Sequence, residues 1–140
     1  MVSRLDRITE TSKQDVRYSD FLTDLTPHPN TKDLVKNNNV EAVKRSIRNL
    51  IQTDQYERLM RPNLGSSVRK ILFEPITQAS ADMLKQYVTE TIGNFEPRAK
   101  VLNVDVFADS NNLGYTINIY FYVINIADPV SMTVTLYRVR

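Results

Sequence analysis

The period of the hydrophobic pattern changes once along this chain, and the change falls at Glu96-Pro97-Arg98. Before it, Leu84, Val88, Ile92 and Phe95 lie on one stripe of a helical run over residues 80–94. From Lys100 onward apolar residues recur at every second position instead. Gly93 predicts the helix stop, and Pro97 prevents the helix from resuming, so the backbone leaves extended. In extended backbone, residues two apart point to the same side. Glu96 and Arg98 are therefore presented together, a carboxylate beside a guanidinium fork. Such a pair closes on itself or grips the charged and amide groups of a partner.

Reading outward from that hinge gives an α+β chain. Upstream, Asn38 with Glu41 three residues later predicts a capping box. Val40, Val43, Ile47, Leu50 and Ile51 then follow at helical steps, with Glu41 and Arg45 as an exposed pair. Residues 53–65 form a connection punctuated by Pro62 and Gly65, and Val68, Ile71 and Leu72 predict a short second helix ending near Pro75. Downstream, Leu102, Val104 and Val106 predict one face of a strand. Residues 108–114 form a polar loop, and Tyr115, Ile117, Ile119, Phe121 and Val123 line a second strand. Residues 127–129 turn the chain into a third strand, where Met132, Val134 and Leu136 alternate with Ser131, Thr133, Thr135 and Tyr137.

Short connections between three strands make an antiparallel meander, packed on one face against two to three helices. Residues 39–140 form this single domain, with helices over 39–95 and the sheet over 99–140. Residues 1–38 read as an extended arm, broken by Pro27 and Pro29, in which Tyr18, Phe21, Leu22 and Leu25 recur at helical spacing and anchor it.

Composition narrows the function. A chain of 140 residues at 41% hydrophobic and 24% charged content is an ordinary globular domain. The net charge of +2 is too small to argue for nucleic acid, despite a pI near 8.9, because cations and acids are interspersed. Without cysteine there is no disulfide, thiolate metal site or cysteine nucleophile. The lone His28 cannot close a coordination shell, and three well-separated glycines make no phosphate-cradling loop. The charged N-terminus is no secretory signal, and no apolar stretch approaches a membrane span. The expectation is a protein without cofactor, metal or small-molecule substrate, bound to neither nucleic acid nor membrane.

Thr53, Glu57-Arg58, Arg61-Pro62, Gly65 and Leu72-Phe73-Glu74-Pro75 occur in an order which, followed by Glu96-Pro97-Arg98 and the strands, resembles the baseplate wedge protein of contractile-tailed phages. That family is shared with the "lysozyme-like" component of type VI secretion baseplates. The resemblance covers roughly residues 39–140. Two positions depart from it: Tyr56 stands where the family usually has Gly, and Leu64 where it usually has Phe.

The resemblance implies a structural adaptor of a virion tail, assembled in the host cytoplasm and carried at the top of the wedge. Its implied partners are the wedge core proteins and the tail sheath subunits, with tail tube or hub proteins as further candidates. Sheath subunits link by exchanging strands, and this chain looks like a sheath subunit's linking domain that offers the first layer a sheet to join.

On that basis Glu96, Pro97 and Arg98 are the candidate docking residues for the wedge core. The third strand, through Ser131, Thr133, Thr135 and Tyr137, is the candidate edge for strand sharing. Residues 130–137 contain neither charge nor proline, the usual guards of an exposed edge. The alternative is that another part of the chain, such as the arm, already covers that edge. Glu57, Arg58, Arg61, Pro62 and Gly65 are expected to brace the loop, Gly65 at a positive-φ turn.

The competing enzyme reading is a muramidase using Glu74 and Glu96. Glycoside cleavage needs one carboxyl with a raised pKa, and Arg98 beside Glu96 favours the ionised form. The chain also has no Trp to stack on sugar rings.

Overall fold

A computed structural model describes residues 16–22, 24–109 and 113–138. A short hairpin, β1 (Ser19–Phe21) with β2 (Lys36–Asn38), leads into α1 (Val40–Gln52), α2 (Val68–Leu72) and α3 (Gln78–Phe95). The chain ends in β3 (Ala99–Asp109), β4 (Gly114–Val123) and β5 (Pro129–Tyr137), an antiparallel sheet ordered β3-β4-β5. The α+β meander expected from the pattern is the fold.

The core lies between one sheet face and the helices. Tyr115, Ile117, Ile119, Phe121 and Val123 of β4 are all buried, as period two requires. Met132 and Val134 of β5 join them, against Leu84, Val88 and Ile92 of α3, Val43, Ile47 and Ile51 of α1, and Val68 and Ile71 of α2. Each of the larger apolar side chains contributes about 1.5–3 kcal/mol on full burial.

Helix α3 starts two residues before the predicted position. Thr77 Oγ1 accepts from the Ser80 amide (3.2 Å) and Ser80 Oγ accepts from the Thr77 amide (2.9 Å), a reciprocal cap. The buried Tyr115 hydroxyl donates to Ser80 Oγ (3.1 Å), tying β4 to the start of α3.

Four expectations are corrected. Gly93 does not stop α3, which continues to Phe95 and is ended by Pro97. Gly93 is an exposed helical residue without positive φ, and Glu96, restricted by the following proline, takes φ −124° and ψ 77°.

Leu102 does not face the core. Val101 pairs with Phe121 and Asn103 with Tyr120, so Leu102 is the extra residue of a β-bulge, exposed while Val101, Val104 and Val106 turn inward.

The Asn38/Glu41 box does not form. Asn38 belongs to β2, and the cap is Asn39, whose Oδ1 accepts from the Arg17 and Tyr18 amides (2.9 and 3.3 Å) instead of from α1; Glu41 pairs with Lys44 (3.2 Å), not Arg45.

The described part of the arm is extended, as expected, but of its four expected anchors Tyr18 packs against the core while Phe21 and Leu25 do not. Residues 16–38 fold back as the hairpin, extended by a Pro27–Leu34 bridge, and leave Phe21 and Leu25 exposed. Of the loop between β3 and β4, Ala108 and Asp109 lie in β3, and Ser110, Asn111 and Asn112 fall outside the described residues.

Candidate functional site

Glu96-Pro97-Arg98 is a turn closed on itself. The Ala99 amide donates to the Glu96 carbonyl (3.1 Å), with Pro97 in the second turn position, where its fixed φ is preset. The Arg98 carbonyl accepts from the Ile124 amide (2.9 Å), so the start of β3 and the end of β4 hold the turn.

Within it, Glu96 is only 2% exposed although charged. Arg98 Nε and Nη2 donate to its two carboxylate oxygens at 2.6 and 2.8 Å, a bidentate fork. Burial pushes the Glu96 carboxyl up. The Arg98 fork, the Ser46 hydroxyl from α1 and the Arg98 backbone N–H together outweigh it and hold the group below its ordinary value.

Arg98 keeps 34% of its side chain exposed. A guanidinium carries five N–H groups, so the fork to Glu96 leaves three others. The Tyr18 ring lies 5.5 Å from the guanidinium carbon, in cation–π range, and the Tyr18 hydroxyl donates to the Ile124 carbonyl (3.3 Å). The arm thus reaches the kink through one aromatic side chain. No sequence signal marks this contact, because Tyr18 and Arg98 stand on different elements far apart in the chain. Ser46 was missed for the same reason. Pro97 is exposed at the apex.

The connection after α1 is a braced loop. The Asp54 amide donates to Glu57 Oε2 (2.9 Å), the Tyr56 amide to the Pro62 carbonyl (2.7 Å), and the Ser66 amide to the Thr53 carbonyl (2.8 Å). Arg69 pairs with Asp54 (3.0 Å). Gly65 takes φ +135°, and a Cβ there would come within 2.7 Å of the Thr53 and Asp54 backbone, so only glycine fits. Arg58 and Arg61 are exposed, joined only by the turn bond from the Arg61 amide to the Arg58 carbonyl (3.2 Å).

Tyr56 sits at φ +70°. Left-handed backbone at a non-glycine residue costs on the order of 1 kcal/mol or more. Tyr56→Gly is therefore expected to raise stability by about 0.5–1 kcal/mol, since the entropy of glycine in the unfolded chain offsets part of the gain. Urea unfolding checks this; a loss of stability would show that the Tyr56 ring contributes more than its backbone costs.

The third feature is the sheet's margin. Strand β5 pairs with β4 without a break from Gly114–Tyr137 to Tyr122–Pro129. Among the described residues no backbone hydrogen bond reaches β5 from its other side, and the arm pairs with itself. Ser131, Thr133, Thr135 and Tyr137 are exposed on the face away from the helices, and the Thr133 hydroxyl donates to Asn118 Oδ1 (2.8 Å). The opposite margin differs: β3 carries the Leu102 bulge together with Lys100, Asp105 and Asp109.

Glu74 and Glu96, the muramidase pair, share no described cleft. Glu74 lines a depression of about 300 Å³ with Pro75, Leu113 and Arg138. A depression of about 420 Å³ between the braced loop and α3, lined by Tyr56, Tyr87, Glu90 and Asn94, contains neither.

A crystal structure of a Geobacter sulfurreducens protein, provisionally described as a tail lysozyme, shares the fold: TM-score 0.66, 24% identity, 71% of this chain and 91% of that one. A chain of the anti-feeding prophage baseplate is 28% identical with TM-score 0.68, over 79% of this chain and 89% of that one. The baseplate wedge protein gp25 of Enterobacteria phage T4 is 27% identical over 99 residues, 71% of this chain and 75% of that protein. The family model "Baseplate wedge protein gp25" matches residues 37–125, a stretch that runs from the end of β2 through the braced loop and the Glu-Pro-Arg turn to just past β4. With well over half of its length matched, the chain belongs to the baseplate wedge protein gp25 family.

Proposed function

We propose that the protein docks on the wedge core through the Glu96-Pro97-Arg98 turn and starts sheath assembly by sharing β5 with the first sheath subunits. Its family makes it a structural component of a contractile-tail baseplate, with other baseplate proteins as neighbours. The finer roles rest on the site itself.

The observation that carries strand sharing is the contrast between the two sheet margins. A soluble sheet ordinarily guards its edges with charge, proline or a bulge. The β3 margin has two of these devices and β5 has none along residues 130–137. An added strand would draw its affinity from the free main-chain groups of β5 and its register from the alternating outward side chains Ser131, Thr133, Thr135 and Tyr137.

At the turn, Glu96 orients Arg98. Two of its donors are fixed on an internal carboxylate, and the exposed remainder is presented at a set angle beside Pro97. A charge held in place this way loses little conformational entropy when a partner's acceptor arrives. Glycoside hydrolysis is disfavoured by the same geometry. Glu96 is buried, forked and held ionised, whereas a general acid must be protonated and reach its substrate.

Baseplates assembled without this protein, then supplied with purified sheath subunits, test the proposal. Sheath is expected to grow only after the full chain is added back. Growth of ordered sheath on the depleted baseplates would contradict it.

A further inference from the structure

The tip of the braced loop offers a third contact surface, separate from the turn and from β5. Leu59 and Met60 are 97% and 95% exposed, the most exposed large apolar side chains among the described residues. Isolated surface leucines need no explanation. These two are adjacent, at the apex of a loop ordered by its own bonds. Glu57 Oε2 holds the Asp54 amide, the Pro62 carbonyl holds the Tyr56 amide, Arg69 holds Asp54, and the Gly65 approach pins the base. A loop built this firmly that ends in two apolar side chains in water is organised in advance for a partner.

Charge identifies the chemistry of that partner. Leu59 and Met60 are flanked directly by the exposed Arg58 and Arg61. The stretch 40–72 that contains them holds seven cations and three acids, whereas residues 73–138 hold four cations and seven acids. The chain's positive charge is thus concentrated on α1, the loop and α2.

We infer that Leu59 and Met60 insert as a pair into an apolar pocket ringed by carboxylates on another baseplate protein, with Arg58 and Arg61 meeting the acidic rim. Apolar anchors at the centre with charge at the rim is the usual anatomy of such a contact.

The test uses assembled baseplates carrying a diazirine amino acid in place of Met60. Irradiation is expected to join position 60 to one other baseplate protein, within an apolar segment that has Asp or Glu nearby. The same probe in place of Met83, exposed on α3, supplies the background.

In competition with the wild-type chain, Leu59→Ser/Met60→Ser and Arg58→Glu/Arg61→Glu are each expected to enter baseplates at least about 10-fold less, consistent with anchor residues at a contact. Both should unfold at the wild-type temperature, because the substituted side chains lie in solvent. Cross-linking no stronger than the Met83 background, a cross-link into a basic or wholly polar segment, or undiminished entry of both variants would overturn the inference. So would preferential binding of the tip to vesicles of anionic phosphatidylglycerol, which would make the surface a lipid contact.

Discussion

Arg98→Ala is expected to lower stability by about 2–3 kcal/mol at pH 7. Removing one member of a buried ion pair leaves an uncompensated charge and costs about 3–5 kcal/mol, and the partial exposure of Arg98 reduces that figure. For a chain of this size the loss corresponds to a fall in Tm of roughly 6–10 °C.

Acid changes the cost in a direction fixed by Glu96. The fork holds its carboxyl below the ordinary value of 4.5, so the pair's contribution is present above that pH and is lost as pH falls through the lower folded-state value. In Arg98→Ala the same carboxyl is buried with only Ser46 and the backbone N–H of residue 98 to favour its charge. It therefore moves up and is protonated more readily. The difference between wild type and variant must then shrink below pH 4.5. Urea unfolding at pH 7 and near pH 3 measures it; an equal cost at both would mean that the fork does not carry the stability. Arg98→Lys keeps a charge but not the bidentate geometry, and should fall between the two. Retention of each variant on the wedge core separates docking from folding: a loss greater than the change in stability assigns the exposed side of Arg98 to the partner.

Thr133→Lys/Thr135→Lys, which removes the exposed Thr133–Asn118 bond, is expected to leave the fold within about 1 kcal/mol of wild type and to reduce sheath initiation at least about 10-fold. Both side chains point away from the core, where surface substitutions are nearly neutral. Two lysines along an unguarded strand install the protection that natural sheet edges use, since an incoming strand would have to pack beside both charges. Asn103→Lys, on the same exposed face but on β3, is the control. If it blocks initiation equally, the partner covers the face of the sheet and not the margin at β5. The number of sheathed particles per baseplate, counted by electron microscopy, gives the readout.

How far these features were legible in the sequence depended on whether they are local. Strand β4 was readable because five alternating side chains share one buried face, and the stripe of α3 because Leu84, Val88 and Ile92 repeat every four residues. The bulge at Leu102 was not, since Val101 and Leu102 are both apolar and the pattern fits either register. A run of three asparagines hid which one caps α1, and the answer depended on the arm, whose Arg17 and Tyr18 amides claim the Asn39 side chain. Tyr18, Phe21, Leu22 and Leu25 were read together as anchors of the extended arm from their spacing, but spacing does not say which side chains meet the body: Tyr18 packs against the core, and Phe21 and Leu25 stay exposed. That Glu96 and Arg98 face each other followed from the residue types. That Glu96 is buried against Ser46 while Tyr18 covers Arg98 required the folded chain.

The central claim is that β5 accepts a strand from the sheath. Amide hydrogen exchange over residues 129–137, compared between baseplates without sheath and sheathed particles, tests it most directly. In an edge strand every other N–H points away from its neighbour and is open to water. Those amides should exchange rapidly before sheath addition and at least about 100-fold more slowly afterwards, as expected of groups drawn into a stable ladder. Unchanged exchange along β5, or new protection confined to the β3 margin, would contradict the account.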